Sequence, residues 1–143
     1  MNRLMTLLLA TGLLGALSGH ATGETRAHTL TIREIMESVI TPASDTLWAV
    51  EDPQNGEEWR ALEHAAIATI AASTLVAQGG AGPEDNEWAS KPEWRAFNEV
   101  MLKAAMDALA AIRARDLDAL FAANDALYPP CEGCHVAFNP GVQ

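Results

Sequence analysis

Apolar residues recur every three or four positions in four stretches of this chain, and no stretch alternates apolar and polar as a strand would. The first stretch opens at Thr31-Ile32-Arg33-Glu34, which has the Thr-x-x-Glu form of a capping box, and continues through Ile32, Met36, Val39, Ala43, Leu47 and Val50. Pro42 falls inside it. A proline there removes a backbone donor and crowds the preceding turn, so the pattern predicts either a kink or a restart with Thr41 as cap and Pro42 as first residue. The second stretch begins near Asn55 with acidic Glu57 and Glu58 in its first turn. It runs through Trp59, Leu62, Ala66, Ile67, Ile70 and Ser73 to Gln78, where Gly79-Gly80 ends it.

Residues 79–90, rich in glycine, proline and acids, read as one long loop. Ser90-Lys91-Pro92-Glu93 then has the form of a second capping box, ahead of a stripe at Phe97, Val100, Met101, Ala104, Ala108 and Ile112. Asp116 is placed to cap a fourth helix carrying Leu117, Leu120, Phe121, Asn124 and Leu127 or Tyr128. The same register continues onto Cys131, Cys134, His135 and Phe138, although Pro129-Pro130 predicts a break just before them. The expected fold is therefore all-α, with four helices around one core.

The chain has 143 residues, of which 49% are apolar, enough for one domain with one core. Its start has the layout of an export signal. Arg3 gives a positive end, residues 4–17 form an apolar run without charge, and Gly19-His20-Ala21 offers small residues where a signal peptidase reads. The run is short for a membrane span. Residues 1–21 are thus expected to be a cleaved signal and residues 22–143 the mature domain, in a bacterial periplasm and not in a membrane. The net charge of −10 includes Arg3, so cleavage would make the domain more acidic. Acidity of this size argues against nucleic acid, whose phosphates require clustered lysine and arginine; it fits either a plainly solvated surface or steering toward a basic redox partner.

The most specific chemistry lies at Cys131-Glu132-Gly133-Cys134-His135. Cys-x-x-Cys-His is the attachment signature of a c-type haem. Two thiols three positions apart on a helical turn project to one side, where both can reach the vinyl edge of a porphyrin. His135 follows at the position from which an imidazole can bind the iron axially. These two cysteines are the only ones, so no disulfide framework competes for them. A thioredoxin-like redox pair would open a helix after a strand, and no strand pattern precedes residue 131. A structural zinc site needs four ligands, and beyond one cysteine pair and His135 the chain offers only distant His28 and His64.

Four helices, an export signal and a haem motif near the C-terminus make the chain resemble the class II cytochromes c, the cytochrome c′ family. The resemblance spans residues 22–143. It implies an antiparallel four-helix bundle with one covalent haem c near the C-terminus, held by Cys131 and Cys134 with His135 as fifth ligand. In that family the first helix supplies the sixth position: an apolar residue leaves the iron open to small gases, and a methionine gives a low-spin electron carrier. Met36 is the only methionine on the first helix, and its thioether suits haem iron. The family tends to carry an arginine four residues before that position; Arg33 precedes Met36 by three and is the candidate partner for a propionate. The basic residue often found shortly after the histidine is missing from Val136-Ala137-Phe138-Asn139-Pro140. Pairing through the first two helices also occurs in the family, which makes a homodimer an open expectation.

Other residues fit the same site less well. His64 on the second helix is off the centre of its stripe, His28 precedes the first helix, and Met101 and Met106 fit core positions of the third. Among Trp48, Trp59, Trp88 and Trp94, Trp59 is the expected neighbour of the haem. The leading expectation is a periplasmic monohaem electron carrier with His135/Met36 ligation, working with a redox protein partner, and not an enzyme. The alternative is a five-coordinate haem protein that binds nitric oxide or carbon monoxide. A peroxidase would need a polar acid/base group over the iron, and no histidine or arginine is suitably placed.

Overall fold

The computed structural model describes residues 28–139, so the expected signal at residues 1–21 lies outside the described residues. The chain is all-helical, with no strand among the described residues. Three segments follow one another without interruption: α1 (Ile32–Ile35), a single π-helical turn (Met36–Ile40) and α2 (Thr41–Trp48). Together they form a first rod, residues 32–48. After a short connection come α3 (Gly56–Val76), the small α4 (Asp85–Ser90), α5 (Pro92–Ala114) and α6 (Leu117–Phe138). No helix of the described residues is long and apolar enough to cross a membrane.

Three of the helix starts are written locally. Thr31 closes the full capping box with Glu34, Asn55 accepts from the backbone N–H groups of Glu57 and Glu58, and Asp116 accepts from Ala119. The capping box expected at Ser90 does not form. Ser90 is the last residue of α4 and its hydroxyl donates back to the Glu87 carbonyl at 2.6 Å, while Lys91 precedes α5 without a side-chain cap and Pro92 opens the helix. The stretch expected to be a loop thus contains one helical piece, packed against α5. α5 stops at Arg115, in the left-handed region (φ 53°), and α6 begins two residues later.

At Pro42 the expected irregularity takes the form of a π turn, after which α2 opens at Thr41 with Pro42 in its first turn, whereas the break expected at Pro129-Pro130 is absorbed. Ahead of Pro42 the chain widens by one residue into the π turn, closed by the Thr41 N–H donating to the Met36 carbonyl. Widening gives the ring room beside the carbonyl of Ser38, with which a normal α turn would collide, and the helix continues. α6 runs unbroken through Pro129 and Pro130. Asp125 and Ala126, whose carbonyls lose their usual donors, are exposed, so water can replace the missing N–H groups. On both sides of the prolines, buried Leu127, Pro130 and Cys134 keep the helix seated.

The core is aliphatic and alanine-rich: Ile35, Leu47, Leu62, Ala66, Ala105, Leu120 and Leu127 are all buried, and alanines let α3, α5 and α6 approach closely. Ile67, Val100, Phe121 and Tyr128, placed on the inward stripes by spacing, are exposed. The largest buried side chain, Trp94 on α5, donates its indole N–H to the Val76 carbonyl at the end of α3, 3.0 Å away. Trp48 and Asn124 tie the first rod to α6. The Trp48 indole donates to the Asn124 carbonyl (3.2 Å), and the Asn124 amide donates to the Leu47 carbonyl (2.6 Å).

Buried Asp85, at the start of α4, fixes the beginning of the first rod. Its Oδ2 accepts from the Ile32 N–H and from the Gly82 N–H, each at 2.8 Å, and glycine at 80 is required because a Cβ there would run into this carboxylate and the Ile32 nitrogen. Asp85→Ala would leave the two N–H groups without their acceptor. A loss of about 2–3 kcal/mol of unfolding free energy is expected, measured by urea denaturation, with Asp85→Asn retaining part of it.

Candidate functional site

Cys131, Cys134 and His135 sit on the last two turns of α6, within a helix and not in a loop after it. Positions i, i+3 and i+4 of one helix share a face, which explains why both cysteines and the histidine line a single cleft between α6 and the first rod. The cleft has two halves, each of about 430 Å³. One half reaches toward Ile40, Trp48, Met101 and Tyr128; the other reaches toward Arg33, Asp85, Trp88 and Phe138. Only Met36, Thr41, Cys134 and His135 line both, so the waist of the cleft is built by Met36 and Thr41 from the rod and by Cys134 and His135 from α6.

Met36 owes its place to the π turn that it opens, because the Met36 carbonyl receives the Thr41 N–H and both residues then reach the cleft. Met36 and His135 are half-buried, as groups on the wall of an open cleft are. Among the described residues no three histidine, cysteine, aspartate or glutamate side chains stand close enough to hold a bare metal ion. The soft and borderline donors here are instead spread across a space of ligand size, one thioether and one imidazole on opposite walls.

The surroundings of both thiols disfavour the thiolate. Burial pushes Cys134 up to about 12, with neighbouring Cys131 and the Glu93 carboxylate adding to the effect. Burial raises Cys131 as well, and its Sγ lies 3.2 Å from the Leu127 carbonyl, one turn back. A thioredoxin-like pair needs a lowered thiol, so the environment works against thiolate chemistry at neutral pH.

Arg33 lies at the edge of the Trp88 half, exposed, with its Nε donating to Glu37 Oε1 at 2.8 Å. That hydrogen bond and the Glu37 charge raise its pKa. His64 is exposed on α3 and lines neither half, and Met106 is exposed on α5. Met101, placed in the core by its spacing, is buried but also forms part of the cleft wall.

The aromatic neighbours differ from the expectation at Trp59, which borders neither half. Trp88 and Trp94 stack at 5.8 Å, and Phe138 stands edge-on to Trp94 at 5.1 Å, closing the end of the cleft. Trp88 belongs to the stretch read as loop, so only its helical placement brings it there. Asn98, also without a distinctive sequence signal, is buried beside the Met101 half; its amide donates to the Trp94 carbonyl, and its Oδ1 has no partner among the described residues.

Gly133 sets the approach of α6 to α5, since a Cβ there would lie 2.6 Å from Cε1 of Phe97. Gly133→Ala must displace the Phe97 ring or part the helices at the cysteines. A loss of about 1–3 kcal/mol in stability is expected, read from thermal unfolding.

No protein-family model matches the chain, and comparison with the curated proteins and with the solved structures finds no match.

Proposed function

We propose that the chain is a periplasmic monohaem c-type cytochrome that carries electrons, with His135 and Met36 as axial ligands and Cys131 and Cys134 as attachment points. In this reading the four long helical segments are an antiparallel four-helix bundle of the cytochrome c′ kind; the short connections at residues 49–55 and 115–116 favour opposite directions for neighbouring rods. One observation carries the reading: the methionine of the first rod and the histidine of the Cys-x-x-Cys-His motif are both at the waist of one cleft, although they lie far apart in sequence.

The residues present suit such a group. Each S–H of Cys131 and Cys134 would add across one vinyl double bond, sulfur to one carbon and hydrogen to the other, so nothing is lost and the chain gains the whole mass of a haem. His135 would be presented by a helix already fixed at both thiols, which limits the movement of the imidazole. Ile40, Phe97, Met101 and Trp94 would exclude water from the two faces, and the cationic Arg33 stands at the edge where acidic propionates could meet it. The covalent haem would supply one-electron Fe(III)/Fe(II) cycling, while the protein holds the ligands and keeps the surroundings dry.

The same apolar Met101 half would also accommodate a small gas if Met36 were not bound, so a cytochrome c′-like gas binder is the second reading.

Protein matured in an exporting host should lack residues 1–21, carry one haem by intact mass, and keep it through acid-acetone extraction; haem released into the extract would overturn the reading. Met36→Ala should convert a low-spin spectrum into a high-spin one, lower the reduction potential and speed carbon monoxide binding to the reduced form. If the wild type is already high-spin and binds the gas as readily as the variant, the gas-binding reading replaces electron transfer.

A further inference from the structure

We propose that the face formed by α2 and α6 beside the Met101 half of the cleft is the docking surface for a redox protein with a basic rim around an apolar centre. This inference rests on the electron-carrier reading and gives it a location and a partner chemistry.

The centre of the face is aromatic and exposed. Trp48 and Tyr128, 40% and 55% exposed, meet edge-to-face with ring centres 6.4 Å apart, and both also form the mouth of the cleft. The Trp48 indole is anchored to the Asn124 carbonyl, so the pair is held at the surface by a bond between the two helices. Along α6 the exposed residues Phe121, Asp125, Tyr128, Glu132 and Val136 follow at spacings of four, three, four and four, one continuous stripe in which apolar and acidic side chains alternate. Aromatic side chains kept in water at such a place are the composition of an interface centre.

Charge selects the occupant. Neither α2 nor α6 contains a lysine or arginine; exposed Asp45 is one turn from Trp48, exposed Asp125 and Glu132 are one turn from Tyr128 on either side, and Asp45 and Glu132 line the same half of the cleft as the two rings. The ion pairs among the described residues lie elsewhere: Arg33 with Glu37, Lys91 with Glu87, Lys103 with Asp107 and Arg113 with Glu63. The three carboxylates of this face have no such partner among the described residues, so their field reaches solvent unopposed. A second copy of the chain docking through the same face would bring like charges together across the two-fold axis. A partner with lysines around its own exposed cofactor edge would neutralise them, and would bring its cofactor against the rings that border the cleft. Acidic charge at the rim speeds encounter, and the apolar centre keeps the complex from depending on charge alone.

The test uses the full mature protein and, as probe, a lysine-rich mitochondrial-type cytochrome c. Titrating the probe into the ¹⁵N-labelled protein should shift amide signals of residues on α2 and of residues 121–136 on α6. Asp45→Asn/Asp125→Asn/Glu132→Gln should slow association about 10-fold at low ionic strength and flatten its salt dependence. A control with the same change of net charge, Glu57→Gln/Glu99→Gln/Asp107→Asn, should do so far less. Tyr128→Ser should weaken binding at high salt, where the charge contribution is screened. Equal slowing by both triple variants, shifts spread over α3 and α5, or shifts on α6 that follow the protein's own concentration instead of the probe's would overturn the docking surface. An absent haem would show in the intact mass before any titration and would defeat the electron-carrier reading separately.

Discussion

The cleft exists because α6 is fastened to the first rod at its two ends and held away from it between them. Toward one end the fastening is direct: the Trp48 indole donates to the Asn124 carbonyl, and the Asn124 amide donates to the carbonyl of neighbouring Leu47. At the other it passes through α4, where Asp85 accepts from the first residue of the rod and Trp88 packs against Phe138 near the end of α6. The space left between the fastenings is where Met36 and His135 stand. Loosening either end would change the separation of the two side chains without touching either of them.

Two local irregularities serve that geometry. Pro42 forces a π turn, and the turn begins at the methionine whose side chain reaches the waist of the cleft. Pro129-Pro130 leaves α6 with fewer backbone hydrogen bonds in the turn just ahead of the cysteines, yet the helix is continuous, with Leu127, Pro130 and Cys134 buried, and both thiols and the imidazole line one cleft. In each case side-chain packing decides a question that backbone propensity leaves open.

The same division appears in the electrostatics. Burial suppresses ionisation of the two thiols, which would be consumed by attachment in the proposed cytochrome, while Asp45 and Glu132 at the rim of the Met101 half are exposed and make no ion pair among the described residues.

By itself the sequence determined the helical class, the caps at Thr31 and Asp116, the helix start near Asn55, and the five residues of Cys131 to His135, because each depends on neighbours within a few positions of the chain. It also singled out Met36, since one methionine stands on the first apolar stripe. Tertiary structure decided the rest. Spacing could not tell that Phe121 and Tyr128 face water while Leu120 and Leu127 are buried, because adjacent positions on a helix differ by a rotation that only the packing partner fixes. Nor could it show that a stretch rich in glycine, proline and acids contains a helix whose Asp85 reaches the Ile32 N–H, or that Trp88 rather than Trp59 borders the cleft. Those contacts join residues some fifty positions apart in sequence, and only the closed core brings them together.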